Sequence, residues 1–398
     1  MRIYSARPMD YSELFSADTH NFMRSPVRDI FKKVDLSQIY SFAGGYPHPS
    51  TFPTDRLASM VETVRKKYGA KILQYGATQG VSELQQALSE RYDVPVENIQ
   101  ITTSSQQGID VTSRVLIDPG DVVLVADPSY LGAIQSFKSY RAEIVGLDLT
   151  QSFEASKRRR DTLRSLVDGG KKIKFFYTVP DFQNPSGETL TLAQRCELVS
   201  LAREFGFLIL EDCPYRELRY EGQQQTTIYT LAPERTVHLG SFSKVFAPGL
   251  RLGWMIAAPE FLDKVYVCKQ ALDLCPPVLD QYLATEWLVS GELDRNLEKT
   301  LELYKGKRDL MISMLEKYMP QGISWTHPQG GLFLFLTLPE HIDTVALYDK
   351  ALAAGVAYVA GSFFYADGTH RNTMRLSFSF IDDEKIEPGI KILASLIR

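Results

Sequence analysis

The sequence predicts an α/β fold: a large unit with a mostly parallel, mixed sheet covered by helices, and a smaller α+β unit after it. Three observations carry this. Between residues 122 and 257, short β-branched or apolar runs alternate with helix-like segments, the pattern of a sheet whose crossovers are helices. After about Pro277 that alternation gives way to a long amphipathic stretch and then a strand pair. At 398 residues, the chain has the length of about two to three domains with a sizeable core.

The elements follow in order. An N-terminal arm leads to Phe42-Ala43-Gly44-Gly45-Tyr46-Pro47, too rich in Gly and Pro to be regular structure. Strands are expected at 122–126, 144–147, 173–179, 207–211, 236–240 and 253–257. Helices fall between them; in 192–205, Leu192, Cys196, Val199 and Ala202 recur at helical spacing. The amphipathic stretch then runs to about Tyr318, with a break expected near Gly291. A strand pair at 324–326 and 331–337 brackets the turn His327-Pro328-Gln329-Gly330, and a helix at 343–354 and a last strand at 373–378 complete the smaller unit. The expected division is residues 1–50 as arm and loop packing with the small unit, 51–285 as the large unit and 286–398 as the small one. No internal repeat or low-complexity tract interrupts this.

Composition excludes several function classes. With 44% hydrophobic and 23% charged residues and a net charge of -4, the chain reads as globular, with no pull toward nucleic acid. Lys157-Arg158-Arg159-Arg160 and Lys171-Lys172-Ile173-Lys174 are short basic clusters on solvated faces. The N-terminus carries no apolar run, so no secretory signal is expected, and Gly331-Leu332-Phe333-Leu334-Phe335-Leu336 is too short to span a bilayer. Four cysteines and six histidines lack metal-ligand spacing. A cytoplasmic protein with no metal is expected.

The most informative segment is Ser241-Phe242-Ser243-Lys244-Val245-Phe246-Ala247-Pro248-Gly249-Leu250-Arg251. A lysine amine condenses with an aldehyde. Hydroxyls and a guanidinium are the donors a phosphate takes, and Pro248-Gly249 turns the chain so that Arg251 returns toward Lys244. An aldehyde bearing a phosphate is pyridoxal 5′-phosphate.

Other strand ends carry groups suited to the same molecule. Thr102-Thr103-Ser104-Ser105-Gln106-Gln107 precedes a helix and offers hydroxyls and backbone N–H groups to a phosphate. Leu208-Ile209-Leu210-Glu211-Asp212 ends in two carboxylates, one of which would hold a proton on a pyridine nitrogen, with Tyr215 three residues on. Asn184, in a proline-rich turn, and Tyr215 would donate to a phenolic oxygen, and Tyr130 would stack on the ring. Arg375 enters a strand and suits an α-carboxylate. Taken singly, each has a plainer reading: a capping serine, a solvated strand end, a structural turn, an ion pair.

With these residues assembled, the chain resembles the fold-type I pyridoxal-phosphate aminotransferases of class I/II. The nearest branch contains 2-aminoadipate and multisubstrate aminotransferases and the effector domains of MocR-type regulators. The likeness runs from Arg24-Ser25-Pro26-Val27-Arg28 to Arg375, through Phe42-Ala43-Gly44-Gly45, Gln74-Tyr75-Gly76, the serine–glutamine helix start, Asn184-Pro185, Asp212-Cys213-Pro214-Tyr215 and the lysine run. By this resemblance Lys244 is the Schiff-base lysine and Asp212 the pyridine partner. Tyr215 and Asn184 hold the phenolic oxygen, and Tyr130 stacks on the ring. Ser104, Ser105, Gln106, Ser241, Ser243 and Arg251 line the phosphate, and Tyr75 reaches the phosphate of a neighbouring subunit, implying a homodimer with shared sites. Arg375, with Asn184 and Gly45, receives the substrate. Ser104 departs from the branch, which commonly has glycine there.

The resemblance implies ping-pong transfer of an amino group from an L-amino acid to a 2-oxo acid, with 2-oxoglutarate as the expected acceptor. Arg24 suits a second substrate carboxylate, as in 2-aminoadipate; Tyr40, Phe42, Tyr46, Phe363, Phe364 and Tyr365 suit aromatic or branched side chains. A lyase or decarboxylase using the same residues remains open. So does an amino-acid-sensing domain, although about forty residues before the glycine loop are too few for a winged helix and linker.

Overall fold

The computed structural model describes residues 9–22 and 39–397. A two-residue strand, β1 (Tyr40–Ser41), precedes the main sheet. That sheet is built from β2 (Ile99–Thr102), β3 (Val122–Ala126), β4 (Glu143–Leu147), β5 (Ile173–Thr178), β6 (Leu208–Asp212), β7 (Thr236–Ser241) and β8 (Gly253–Ile256). Its order is β2-β8-β7-β6-β5-β3-β4. β3 through β7 pair in parallel, while β8 runs antiparallel to both β7 and β2. The all-apolar run of β3 is buried at every position, as a strand covered on both faces requires.

Local signals set the helix ends. The helix Leu192–Phe205 begins with a capping box between Thr191 and Gln194 and stops at Gly206, whose φ of 77° only glycine adopts freely. Gly291, at φ 71°, divides the helices Val278–Val289 and Glu292–Tyr318, the break expected from the sequence.

The second sheet, β12-β13-β10-β9, is antiparallel and comprises β9 (Ser324–Trp325), β10 (Phe333–Thr337), β12 (Val359–Ala360) and β13 (Thr373–Ser377). Between its members β11 (Val356–Ala357) pairs in parallel with β1. This pairing buries Phe42 and Ala43 completely and carries the glycine loop after them toward the main sheet.

Several elements escape the sequence reading, among them β1, β11, β12 and the helices Leu57–Tyr68 and Ser82–Tyr92. β2 is four residues long and interrupted by Gln100, and the closing helix Asp383–Ile397 contains Pro388 and Gly389, both ordinarily breakers. Gly389 is needed because a Cβ there would lie 2.6 Å from the Phe42 ring.

Gly253 at the start of β8 lies under the helix that follows β2. An added Cβ would meet Gly240 O and Ser104 C at 2.7 Å and Ser105 N at 2.8 Å, all backbone. Gly253→Ala is therefore expected to lose about 2 kcal/mol of stability by thermal melting, as overpacking does. Gly249→Ala, with open space around it, is expected to stay within about 0.5 kcal/mol of the parent.

Candidate active site

The loops leaving the carboxyl ends of β2, β3, β5, β6 and β7 converge at one end of the main sheet, where ligands sit in sheets of this kind. After β7, the Ser241 hydroxyl accepts from Ser243 N–H at 3.1 Å and closes the turn that presents Lys244. Lys244 Nζ donates to Gly45 O at 2.8 Å, across 199 residues of chain. Burial, then the charges of Arg375 and Arg251, pull the Lys244 amine down from 10.5 to about 8.

Ser104 opens the helix Ser104–Leu116 at φ 69°, a left-handed conformation that explains why glycine suits this position. Its hydroxyl accepts from Arg251 at 2.6 Å, and the same guanidinium reaches Ser243 Oγ at 3.5 Å. Behind them, Thr103 Oγ1 and Gln107 Nε2 donate to Asp273 Oδ2 at 3.0 and 2.7 Å. The buried Lys269 amine holds the same carboxylate at 2.7 Å. Two hydroxyls, a guanidinium and a helix N-terminus thus gather in one place.

Asp212 ends β6 almost wholly buried. Its Oδ2 accepts from the Tyr177 hydroxyl at 2.8 Å, while Oδ1 has no partner among the described residues. Burial raises its carboxyl from 3.8 to about 7, against the opposing pull of Tyr177 and His238. The adjacent Glu211 points elsewhere, accepting from Ile228 N–H at 2.7 Å and bonding His238 Nδ1 at 2.9 Å. Of the two acids at this strand end, Asp212 is the one that keeps an oxygen without a partner among the described residues.

The loop after β5 is held by a fully buried ion pair, Asp181 with Arg195 at 2.8 Å, and by Arg216 at 3.0 Å. It presents Asn184, whose Oδ1 accepts from Arg375 at 2.7 Å and whose side chain lies beside Tyr215. Arg375, on β13, donates further to Ala43 O at 2.6 Å and lies between the rings of Phe333 and Phe364, at 4.4 and 5.1 Å. Its Nε has no partner among the described residues, and burial lowers its guanidinium to about 10. A cavity of 640 Å³ is lined by Gly45, Tyr130, Asn184, Tyr215, Lys244 and Arg375, with Gln106, Tyr46, Phe333 and Phe364 beside them. Tyr130 donates to Gln106 Oε1 at 3.2 Å.

Not every expected residue lines this cavity: Asp212, Ser104, Ser243 and Arg251 are outside its lining. Ser241 lies behind it and shapes the turn, and Ser105 sits on the backbone above Gly253. Tyr75 is 80% exposed and lies beside Val278 and Tyr282, in a separate depression. Arg24 lies outside the described residues. The sequence reading passed over Tyr177, which no motif marks, and the contacts of Phe333, visible only as part of an apolar run.

Sheet order and the placement of these loops put the molecule among the fold-type I pyridoxal-phosphate-dependent transferases. Residues 43–393 match the family described as aminotransferase class I and II. The aromatic-amino-acid aminotransferase 1 of Thermococcus litoralis is 42% identical over 99% of this chain and 96% of its own length. The solved kynurenine aminotransferase of Pyrococcus horikoshii, in complex with PMP, has a TM-score of 0.93 at 40% identity, covering 98% of each chain. The alpha-aminoadipate aminotransferase of Thermus thermophilus, complexed with N-(5′-phosphopyridoxyl)-L-leucine, has a TM-score of 0.89 at 33% identity, again over 98% of each. The chain belongs to the class I and II aminotransferases. It is an enzyme of amino-group transfer, and its cofactor is pyridoxal 5′-phosphate.

The residues present fit that cofactor. A buried carboxylate oxygen without a partner is what a protonated pyridine nitrogen satisfies, and the cluster around Ser104 and Arg251 is a donor set for a phosphate.

In cofactor-free protein, the rate at which Lys244 captures pyridoxal phosphate should rise with pH and level off above about 8, since only the uncharged amine attacks. A rate still climbing toward 10.5, read by cofactor absorbance, would mark an ordinary amine. Ser104→Ala and Ser104→Gly both lose the Arg251 partner, but only glycine relieves the left-handed backbone. The glycine variant should melt as the more stable of the two, by about 1 kcal/mol.

Proposed function

We propose that Lys244, Asp212 and Arg375 carry amino-group transfer in this cavity, and that the donor is an L-amino acid with an aromatic or branched side chain. The observation that carries this is the character of the cavity. Among its described lining residues the cations are Lys244 and Arg375, while Tyr46, Tyr130, Phe333 and Phe364 supply aromatic surface. Arg375, with an unspent Nε beside the cavity, receives the α-carboxylate, and Asn184 and Gly45 frame the same end. The likeness to an aromatic-amino-acid aminotransferase supports the aromatic class, and the likeness to an alpha-aminoadipate aminotransferase supports a 2-aminoadipate-like donor, with Arg24 on its distal carboxylate. The acceptor is a 2-oxo acid, with 2-oxoglutarate first to be tested.

When bound, pyridoxal 5′-phosphate supplies the carbonyl that takes the amino group and the ring that receives the electron pair left at the substrate Cα. Lys244 Nζ, with its amine near neutrality, removes the Cα proton as general base. Asp212 holds the proton on the pyridine nitrogen, and Asn184 and Tyr215 donate to the phenolic oxygen. Tyr130 covers one face of the ring. Ser104, Ser105, Gln106, Ser243 and Arg251 bind the phosphate, with Ser241 shaping their turn.

The reading includes a homodimer in which the exposed Tyr75 enters the neighbouring subunit's phosphate site. It also includes the division into residues 1–50, 51–285 and 286–398, and a cytoplasmic location. Among the described residues no helix is long and apolar enough to cross a membrane.

Lys244→Ala is expected to abolish nearly all turnover, and an active variant would overturn the assignment. Arg375→Lys should raise KM for amino acids about tenfold or more, because a point charge replaces a fork. The donor class is read from the absorbance of the holoenzyme mixed with single amino acids, without an oxo acid. Phenylalanine and leucine should change the cofactor band and 2-oxoglutarate restore it. Response to 2-aminoadipate alone would reverse the preference, and a band that the oxo acid does not restore would point to a lyase.

A further inference from the structure

We infer that Tyr177 is a positioning residue for the reaction: its hydroxyl, donating to Asp212 Oδ2, fixes the carboxylate as an anion and leaves Oδ1 free to hold the proton on the cofactor's pyridine nitrogen. The inference rests on the reading of Asp212 given above.

The geometry begins with strand register. Tyr177 on β5 stands opposite Leu210 on β6, and Asp212 follows two residues later on the same face. Diagonal neighbours in a sheet lie roughly 7–8 Å apart at their backbones, a span that a tyrosine closes and a shorter side chain does not. The 2.8 Å bond results. The Tyr177 ring is fixed edge-on by Phe137, with centroids 5.5 Å apart at 70°, so the hydroxyl has little freedom to turn elsewhere.

Tyr177 is fully buried, and on its strand Phe175 and Phe176 fill equally buried positions. Phenylalanine would therefore satisfy the packing at 177. What the hydroxyl adds is its one hydrogen bond, spent on an acid whose other oxygen has no partner among the described residues. Burial, followed by the Asp212 charge, keeps the phenol protonated far above its ordinary range, so it remains a donor at every working pH. The other groups bearing on the pair are His238 on β7, Tyr215 after β6 and Tyr130 after β3. His238 is already bonded to Glu211 and Tyr130 to Gln106, which leaves Tyr177 as the direct donor to Asp212.

Burial favours protonated Asp212, and the Tyr177 bond opposes it. Without the hydroxyl the carboxylate becomes the stronger base, and the proton it shares with the pyridine nitrogen moves onto Asp212. The ring then withdraws electrons less strongly.

The test is the Tyr177→Phe holoenzyme, loaded with ¹⁵N-labelled pyridoxal phosphate, compared with the parent and with Asp212→Asn. In the parent, the pyridine nitrogen should resonate in the protonated range. Tyr177→Phe should move it toward the unprotonated range and lower kcat about tenfold with KM for the amino donor little changed, the loss of one charge-assisted hydrogen bond. Melting should confirm that the variant folds. A merely structural hydroxyl would lower the melting temperature and leave the nitrogen resonance where it was. An unchanged resonance in Tyr177→Phe, with Asp212→Asn shifted, overturns the role of Tyr177. If Asp212→Asn is also unshifted, the assignment of Asp212 fails with it.

Discussion

The guanidinium of Arg375 is the tie on which the site depends. It belongs to the second sheet, yet it is bonded to the carbonyl of Ala43 near the chain's start and to Asn184 in a loop of the main sheet. Two aromatic faces enclose it. A buried cation is costly unless its donors are satisfied, so this arrangement forces three distant segments into one geometry. Phe42 and Ala43 are buried completely by the same convergence, and the Gly45 carbonyl is delivered to Lys244.

Desolvation then does chemical work with opposite sign on acid and base. The same burial that lifts Asp212 from 3.8 to about 7 lowers Lys244 from 10.5 to about 8. For Lys244 this brings a base toward neutrality, where proton transfer is most efficient; for Asp212 it is a cost of burial that the Tyr177 hydrogen bond opposes. Both shifts need walls, and that of Lys244 draws also on the charges of Arg375 and Arg251. Those walls are the aromatic and aliphatic side chains of two sheets, which is why an enzyme of small-molecule chemistry spends nearly 400 residues on one cavity.

Much of this was legible in the chain. Strands buried on both faces announce themselves as continuous apolar runs, and β3, β5, β6, β7 and β8 fall within a residue or two of their expected bounds. The lysine run, Asp212 and Asn184 could be read because turn and strand-end chemistry uses few residue types. What could not be read has physical reasons. β2 is short and carries a glutamine whose amide bonds the backbone. The helix Asp383–Ile397 tolerates a proline because its apolar face is anchored on the core. Tyr177 sits among phenylalanines and differs by one oxygen, whose partner is 35 residues away. Its role emerges only once strand register is known. The departure from glycine at position 104 has its reason in the backbone, which is left-handed there and shows only in the structure.

The parallel pairing of β1 with β11 has a mechanical meaning. Gly45 follows directly from a strand bonded to the same body that carries Arg375, whereas Lys244 is rooted in the main sheet. A rigid shift of that body would move Arg375, the proposed carboxylate receptor, and the carbonyl that restrains the lysine as one piece. Grip on one reactant and release of the other would then share a single lever arm, with the Lys244–Gly45 hydrogen bond as its latch.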